Sequence, residues 1–320
     1  MGGDEGSARD DEGHGLDVAA LSDDDFVDVA YQLLLGRRPD PSGFQQCRRR
    51  LAEGVARQAV LQEIRDSEEF RSMARSPLAA LHGARIAWVR SLPKAASILD
   101  LGGASTGSAN GAMIEMRYPY AFERLMIIDL PPDERHDQFR SDRFADEVST
   151  ALGPVRYIHA SMTDLSAIPD ASIDLVNSSQ TFEHIYPAEG EALLDEVRRV
   201  LRPTGILALD TPNRALTALE MADQSEEYIN PDHKIEYTHP QMLQLFDWHG
   251  FTVVRAQGIA WLPESVAAGV FDAEEISGNA ALYDDIERCY LLAYLVRPTS
   301  GVLTRVRQRA ESGAARLRRS

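Results

Sequence analysis

The apolar residues near the start of the chain recur at helical spacing. One face of a helix is formed by Phe26, Val29, Ala30, Leu33 and Leu34. A run rich in glycine and proline, residues 36–43, ends this helix. Two further helices are predicted, one around 43–53 and one from about 57 to 70. Residues 22–74 are therefore expected to form a small all-helical domain.

From residue 76 onward, short apolar runs alternate with longer amphipathic stretches. The short runs predict strands at 97–101, 124–129, 155–159, 173–178, 205–210, 251–256 and 288–296. The amphipathic stretches predict helices at 78–92, 107–117, 137–151, 187–201 and 239–249. Such alternation implies right-handed crossovers and a parallel sheet that is covered on both faces. An α/β domain is expected over residues 76–299.

The net charge of the 320 residues is −17, which argues against a nucleic-acid partner because a phosphate backbone requires clustered cations. Acidic residues are concentrated in residues 1–21, where low hydrophobicity predicts a disordered tail, whereas residues 300–320 are a basic C-terminal tail. Cys47 and Cys289 lie far apart without metal-binding spacing, which favours reduced thiols. With no long apolar run, the composition predicts a cytoplasmic protein without stable membrane insertion.

Carboxylates and glycines lie at the ends of the first two predicted strands. Asp100 closes the first strand, and Gly102, Gly103 and Gly107 follow it in a turn. A glycine turn allows main-chain amides to approach a ligand, and the next helix offers its positive N-terminal end. Asp129 ends the second strand, where a carboxylate is placed to accept hydrogen bonds from both hydroxyls of a ribose. Together these features predict a nucleoside-type cofactor.

Motifs on successive strands resemble those of the class I S-adenosylmethionine-dependent methyltransferases, over roughly residues 80–297. The matching segments are 98–102, Asp129, 161–165, 173–177, 182–185, 197–205 and 211–214. The usual GxGxG loop is replaced by the sequence GGASTG at 102–107, which implies a longer or differently shaped turn. An NAD-dependent dehydrogenase requires G-x-G-x-x-G and an acidic residue about 20 positions further on, and neither spacing is met.

This resemblance implies a Rossmann-like seven-stranded sheet, mostly parallel with the last strand antiparallel, and S-adenosylmethionine as the cofactor. It assigns the ribose to Asp129 and the adenine amine to Asp164. The other residues that it places at the cofactor are Asp100, Gly102, Gly103, Gly107 and Asn177.

The helical segment 22–74 resembles a small domain of unknown function that occurs on bacterial glycosyltransferases and other surface-glycan proteins. The matching positions are Phe26, Tyr31, 35–37, Pro39, Asp40, Gly43, Leu51, Gly54 and 67–70. The resemblance implies a glycan-docking role. A helical cap that packs on the enzyme is the alternative, and both interpretations stay open.

The turn after the fourth strand bears on the atom that is methylated. Methyltransferases of amide or ring nitrogens often carry Asn/Asp-Pro-Pro-aromatic there, whereas this chain has Asn-Ser-Ser-Gln at 177–180, which favours an oxygen acceptor. Removing a hydroxyl proton needs a base or a metal. His184 is the candidate base and His233 an assisting residue, although His184 could equally cap the next helix. The loose spacing of Asp210, Glu183, Asp232 and His233 does not favour the alternative, a bound Mg²⁺.

These observations predict an O-methyltransferase that uses S-adenosylmethionine and acts on a hydroxyl of a sugar, glycan or glycolipid precursor. A methyltransferase of another small metabolite, such as a polyketide or quinone hydroxyl, is the first alternative. The second is a catalytically silent binding module that keeps the fold and recruits partners through residues 22–74. Self-association into a homo-oligomer is left open by the sequence.

Overall fold

The computed structural model describes residues 21–35, 38–70, 76–105, 109–131, 134 and 146–299. Most of the acidic tail, the basic tail, Gly107 and residues 137–145 of a predicted helix lie outside the described residues. The chain divides into two compact units, Met1–Met73 and Ala74–Ser320. No helix among the described residues is long and apolar enough to cross a membrane.

The described residues of the first unit form three helices, α1 (Asp23–Leu35), α2 (Pro41–Ala52) and α3 (Arg57–Asp66). Helix α2 begins where Asp40 accepts hydrogen bonds from the main-chain N–H groups of Ser42 and Gly43, 3.0 Å each, which satisfies two otherwise unpaired donors. The helices bury one apolar cluster, formed by Phe26, Val27, Ala30, Tyr31, Leu35, Cys47, Val60 and Ile64. The helical spacing around Phe26 is thus confirmed.

The second unit is built on one mixed sheet. Its strands are β1 (Ser97–Leu101), β2 (Arg124–Asp129), β3 (Glu147–Ser149), β4 (Pro154–His159), β5 (Ile173–Ser179), β6 (Leu201–Pro212), β7 (Phe251–Trp261), β8 (Leu282–Tyr283) and β9 (Cys289–Pro298). Their order is β3-β4-β2-β1-β5-β6-β9-β7-β8. The five neighbours from β4 to β6 run parallel, and β9 is antiparallel to both β6 and β7. The predicted parallel sheet with an antiparallel last strand is confirmed.

The predicted count of seven strands is wrong, because the described residues form nine. The two additional strands are short edge strands, β3 beside β4 and β8 beside β7. Strand β3 also corrects the helix predicted over 137–151, since Glu147–Ser149 pair antiparallel with β4. A strand of three residues carries too little alternation to be recognised, and its hydrogen bonds come from a distant partner.

Seven α-helices among the described residues of the second unit connect or flank the strands. They are α4 (Pro77–Arg90), α5 (Ala112–Glu115), α6 (Pro187–Val200), α7 (Arg214–Glu220), α8 (His239–Trp248), α9 (Pro263–Ala268) and α10 (Ala273–Gly278). Successive residues of β1 enter different cores, Ile98 one cluster and Leu99 with Leu101 another, so the sheet is covered on both faces. The helix predicted over 107–117 is reduced to the four residues of α5 in the part of the chain that the structure describes.

The strand register determines which side chains meet at the carboxyl ends of the parallel strands. Asp100 of β1 lies opposite Asn177 of β5, and Ser179 of β5 lies opposite Asp210 of β6. Leu101 is paired with Ile128, one residue before Asp129. The polar ends of four strands therefore converge on one edge of the sheet, where ligands bind in open α/β sheets.

Candidate active site

The turn after β1 requires glycine at two successive positions. Gly102 has a φ of +67°, which L side chains rarely adopt, and its N–H donates to the Ile128 carbonyl at 2.8 Å. At Gly103 a Cβ atom would lie 2.1 Å from Oδ2 of Asp100, closer than any side chain tolerates. The Gly103 carbonyl accepts from the N–H of Ala112, which fixes the turn to the start of α5. The glycines thus let the chain pass directly over a buried carboxyl.

Asp100 and Asn177 form a buried polar pair below this turn. Both are almost fully buried, and the Asn177 side-chain amide donates to Oδ1 of Asp100 at 2.7 Å. Burial raises the pKa of Asp100 to about 7; the Asn177 hydrogen bond opposes this shift and the Asp129 charge adds to it. Oδ2 of Asp100 and Oδ1 of Asn177 have no hydrogen-bond partner among the described residues. The turn therefore covers two unsatisfied oxygen atoms.

Asp129 holds the opposite side of the turn. Its Oδ2 accepts from the N–H of Ala104 at 3.0 Å, and its Oδ1 accepts from the N–H of Leu130 at 2.8 Å. Each carboxylate oxygen can accept more than one hydrogen bond. The structure therefore places Asp129 beside Gly102, Gly103, Asp100 and Asn177, and we call these five residues the cofactor edge.

Of the predicted cofactor residues, Asp164 is not brought into this group, and Gly107 cannot be compared with it. Gly107 lies outside the described residues. Asp164 is exposed in the turn after β4, where its Oδ1 accepts from the N–H of Ser166 at 3.1 Å, and the hydrogen bonds of Ser166 lower the pKa of Asp164. Its contacts are thus those of a local turn.

Asp210, at the end of β6, is engaged by three side chains from two segments of the chain. Its carboxylate accepts from Nε of Arg85 at 3.2 Å, from the Gln180 amide at 3.0 Å, and from the Ser179 hydroxyl. Arg85 reaches it from α4 and also donates to Ser179 at 2.9 Å. This network corrects the magnesium set considered from the sequence, because the carboxylate of Asp210 is already occupied by an ion pair and two further hydrogen bonds.

Glu183, His184 and His233 come together beside Asp210. Glu183 and His184 lie in a short 3₁₀ turn, Phe182–His184, just after β5. One ligand atom from each of the three side chains lies within 4.8 Å of the other two. The rings of His184 and His233 meet edge to face, with centroids 4.8 Å apart. We call these three residues the histidine cluster.

Main-chain hydrogen bonds hold the two segments of the histidine cluster together. The carbonyl of Glu183 accepts from the N–H of Lys234 at 2.8 Å and from that of Ile235 at 3.3 Å. The Thr211 hydroxyl, at the end of β6, donates to Oε2 of Glu183 at 3.0 Å. Burial raises the pKa of Glu183 to about 8, and the nearby Asp210 charge acts in the same direction. The loop after β6 is therefore fixed against the turn after β5.

Glu236 orients the ring of His233 through a hydrogen bond at Nδ1. Its Oε1 lies 2.7 Å from Nδ1 of His233, and its Oε2 accepts from the Thr217 hydroxyl. Arg214 lies 3.6 Å from the same carboxylate. Burial acts to raise the pKa of Glu236, but the hydrogen bonds from His233 and Thr217 outweigh it and the net shift is downward. Glu236 is therefore an anion that holds one ring nitrogen of His233.

His184 is a neutral imidazole at pH 7. Burial lowers its pKa to about 4, and the neighbouring His233 adds to this shift. A hydrogen bond to the main chain of Asp232 acts in the opposite direction without reversing it. One ring nitrogen of His184 therefore carries a lone pair at physiological pH.

Residues 103–209, which include most of the cofactor edge and two residues of the histidine cluster, match the family described as "Methyltransferase domain". This segment is similar to methyltransferase domains. Residues 15–74 match a domain of unknown function, DUF4214, which is the N-terminal domain expected from the sequence. This match does not indicate an association with glycans.

Two mycobacterial relatives are each named as a probable S-adenosylmethionine-dependent methyltransferase. The one from Mycolicibacterium smegmatis is 27% identical over 148 residues, 45% of this chain and 53% of that protein. The one from Mycobacterium tuberculosis H37Rv is 31% identical over 105 residues, 33% of this chain and 36% of that protein. The matches thus span about half of the first relative and about a third of the second. A solved S-adenosylmethionine-dependent methyltransferase from Archaeoglobus fulgidus aligns at 15% identity with a TM-score of 0.46, over 67% of this chain and 92% of that one.

The methyltransferase family implies S-adenosylmethionine as cofactor, and the cofactor edge fits such a group. The turn provides close main-chain approach at Gly102 and Gly103, while Asp129 provides a carboxylate at the strand end. The buried, unsatisfied oxygens of Asp100 and Asn177 are acceptors for which a donor on the cofactor is a suitable partner.

Several residues of the domain were not found from the sequence. Arg85, Thr211 and Thr217 act on Asp210, Glu183 and Glu236, respectively, through side-chain contacts that span 19 to 125 positions of the chain. For Glu236 a local signal did exist, because it lies three residues after His233 in the same polar loop.

Proposed function

We propose that this chain transfers a methyl group from S-adenosylmethionine to a hydroxyl of a sugar, glycan or glycolipid precursor. The observation that carries the proposal is the adjacency of two sites at one edge of the sheet. The cofactor edge lies at the ends of β1, β2 and β5, and the histidine cluster follows the end of β5. A donor and an acceptor held at these sites would be neighbours, as in-line transfer requires.

On the cofactor edge, each residue has a distinct role. Gly102 and Gly103 would allow the main chain to approach the nucleoside, and Asp129 would accept hydrogen bonds from the ribose hydroxyls. The unsatisfied oxygens of Asp100 and Asn177 would accept from a charged amine of the cofactor. Asp164 would meet the adenine amine from its exposed turn.

When bound, the cofactor would supply an electrophilic methyl group to the acceptor oxygen, with the carbon–sulfur bond breaking and its electron pair remaining on sulfur. The hydroxyl must also lose its proton, and the histidine cluster is the group placed to promote that loss. His184 brings a neutral ring nitrogen, and His233 brings a second ring held by Glu236. The 177–180 turn, which lacks the Pro-Pro pair of many N-methyltransferases, supports an oxygen acceptor.

The sugar part of the proposal is supported by the resemblance of residues 22–74 to domains on bacterial glycan-modifying proteins. A hydroxyl on another small metabolite would use the same chemistry. These two candidate functions differ only in the acceptor molecule, so the decisive experiment supplies both kinds of acceptor.

The test has a binding step and a transfer step. S-adenosylhomocysteine should raise the melting temperature of the full-length protein, and Asp129→Ala should remove the shift. Glu147→Ala, an exposed carboxylate on β3, is the control and should keep it. Labelled S-adenosylmethionine is then supplied with panels of glycans and of phenols. Transfer to glycans supports the proposal, transfer to phenols alone contradicts its sugar part, and no cofactor shift would favour the silent binding module.

A further inference from the structure

We propose that Glu183, His184 and His233 bind a divalent transition-metal ion of the first row. The binding stands on the geometry of the three side chains. The role of the ion, activation of the acceptor hydroxyl, rests on the proposed function.

The three ligands are already assembled. Glu183 and His184 are adjacent in the 3₁₀ turn after β5, and His233 comes from the loop after β6. Their potential ligand atoms lie within 4.8 Å of one another. Ligand atoms at about 2.0–2.2 Å from one tetrahedral ion lie roughly 3.3–3.6 Å apart, so side-chain shifts of about 1 Å or less would bring all three onto one ion. The main-chain bonds from Lys234 and Ile235 to Glu183 fix this arrangement. Little rearrangement is therefore needed to bind an ion.

Both histidines are held in the way that metal-binding histidines are held. A ligating imidazole usually donates its other ring N–H to a carboxylate or a main-chain carbonyl. Nδ1 of His233 is 2.7 Å from the buried carboxylate of Glu236, which leaves Nε2 for a ligand. His184 is hydrogen-bonded to the main chain at Asp232. Each ring thus keeps one nitrogen for coordination.

Glu183 supplies a second, independent observation. Its side chain is completely buried, and although Oε2 accepts from Thr211, Oε1 has no hydrogen-bond partner among the described residues. Burying a polar oxygen without a partner is unfavourable. Burial raises the pKa of Glu183 and the charge of Arg85 acts to lower it, but the Arg85 guanidinium donates hydrogen bonds to Asp210 and Ser179 instead of to Glu183. A cation between Glu183 and the two rings would satisfy this oxygen.

The donor set indicates the class of ion. Two imidazoles and one carboxylate favour Zn²⁺, Mn²⁺, Fe²⁺ or Co²⁺ over Mg²⁺, which prefers oxygen ligands. Three protein ligands leave coordination positions open. A hydroxyl at an open position would have its pKa lowered by the ion, so that its proton leaves to solvent as the oxygen takes the methyl group.

The experiment measures ion binding directly on the full-length protein, purified with chelator. Co²⁺ is followed by its visible absorption, and Zn²⁺, Mn²⁺ and Mg²⁺ by calorimetry. Glu183→Gln, His184→Asn and His233→Asn should each weaken binding of the transition ions by about 100-fold or more, and Glu236→Gln, which removes a positioning residue, by about 10- to 100-fold.

A matched control is available in His249. Its Nδ1 is 2.8 Å from Asp195 and its buried Nε2 has no partner among the described residues, so it shares the setting of His233 outside the cluster. His249→Asn should leave ion binding unchanged.

The outcomes separate this inference from the proposed function. S-adenosylhomocysteine binding is measured on the same proteins, and it should persist in the histidine-cluster variants. If the wild type binds S-adenosylhomocysteine but no transition ion, or binds Mg²⁺ alone, the metal site is wrong while the proposed function stands. Ion binding that survives the Glu183 and His233 substitutions also overturns the site. A wild-type protein that does not bind S-adenosylhomocysteine would instead overturn the proposed function.

Discussion

The cofactor edge and the histidine cluster lie side by side, yet they are built differently. In the cofactor edge the glycines are fixed by tight turn geometry and Asp129 accepts from main-chain donors, while Asp100 is held by the side chain of its strand neighbour Asn177. In the histidine cluster the side chains are held by other side chains, from Thr211 and Glu236. The first construction is local and specified by residue type, whereas the second depends on the packing of segments about 50 residues apart. The two regions should therefore fail in different ways when single residues are changed.

The largest effect is expected at the buried Arg85–Asp210 ion pair beside the histidine cluster. Arg85→Met would leave Asp210 buried beside Ser179 and Glu183 without its cation, since the Asp210 side chain is fully buried. Breaking a buried ion pair on one side should lower the free energy of unfolding by about 4 kcal/mol. Chemical denaturation measures this. Arg90→Met, an exposed arginine on the same helix, is the control and should change stability by no more than about 0.5 kcal/mol. Equal effects of the two would show that Asp210 needs no cation.

The next effect tests the turn of the cofactor edge. Gly103→Ala would place a Cβ atom 2.1 Å from Oδ2 of Asp100, so either the turn or the carboxyl must move. We expect a loss of about 3 kcal/mol in unfolding free energy and loss of S-adenosylhomocysteine binding in calorimetry.

Gly83→Ala is the matched control for this substitution. Gly83 lies inside α4, and its added Cβ would meet no atom within 4 Å. It should stabilise the protein by about 0.5–1 kcal/mol. If Gly103→Ala were tolerated equally well, the close passage of the turn over Asp100 would be wrong.

The substitutions of Gly103 and Arg85 show which parts of the site the sequence could reveal and which it could not. Asp100, Gly102 and Gly103 lie within four positions of the chain, and their residue types indicate a tight turn beside a carboxylate. Their positions at the strand end follow from the apolar run before them, so the cofactor edge and the parallel sheet could be predicted. The sequence could not reveal Arg85, because no local pattern links a residue of α4 to a carboxylate 125 positions later.

The histidine cluster was only partly predictable for the same reason. The sequence indicates His184 and His233 as polar residues after strands, but their convergence depends on the hydrogen bonds between Glu183 and the 234–235 main chain. Edge strands β3 and β8 escaped prediction because two or three residues carry no clear alternation, and their pairing comes from β4 and β7.

A third prediction concerns the pH dependence of stability. The folded pKa of Asp100 is about 7, above its ordinary value of 3.8, so folding favours the protonated form. Its contribution to stability is complete below pH 3.8 and is lost as the pH rises through 7. Asp100→Asn removes this dependence. Between pH 5 and pH 8, the unfolding free energy of the variant should therefore gain about 3 kcal/mol relative to the wild type.

Denaturation curves at several pH values measure this difference for Asp100→Asn. Glu147→Gln, an exposed carboxylate on β3, serves as the control and should show a nearly constant difference from the wild type. A constant difference for Asp100→Asn as well would mean that its carboxyl is ionised in the folded protein at pH 5.

The smallest effect is expected at Asp164, an exposed residue that lies outside the buried cofactor edge. The side chain is exposed and accepts a hydrogen bond from its own turn, so its removal leaves no buried donor unsatisfied. Asp164→Ala should weaken S-adenosylhomocysteine binding by less than about tenfold, whereas Asp129→Ala should weaken it far more, because Asp129 also holds the main chain of Ala104 and Leu130. Calorimetry on both variants gives the ratio. An Asp164 effect as large as that of Asp129 would mean that the adenine contact, and not the main-chain framework of the turn, dominates recognition of the cofactor.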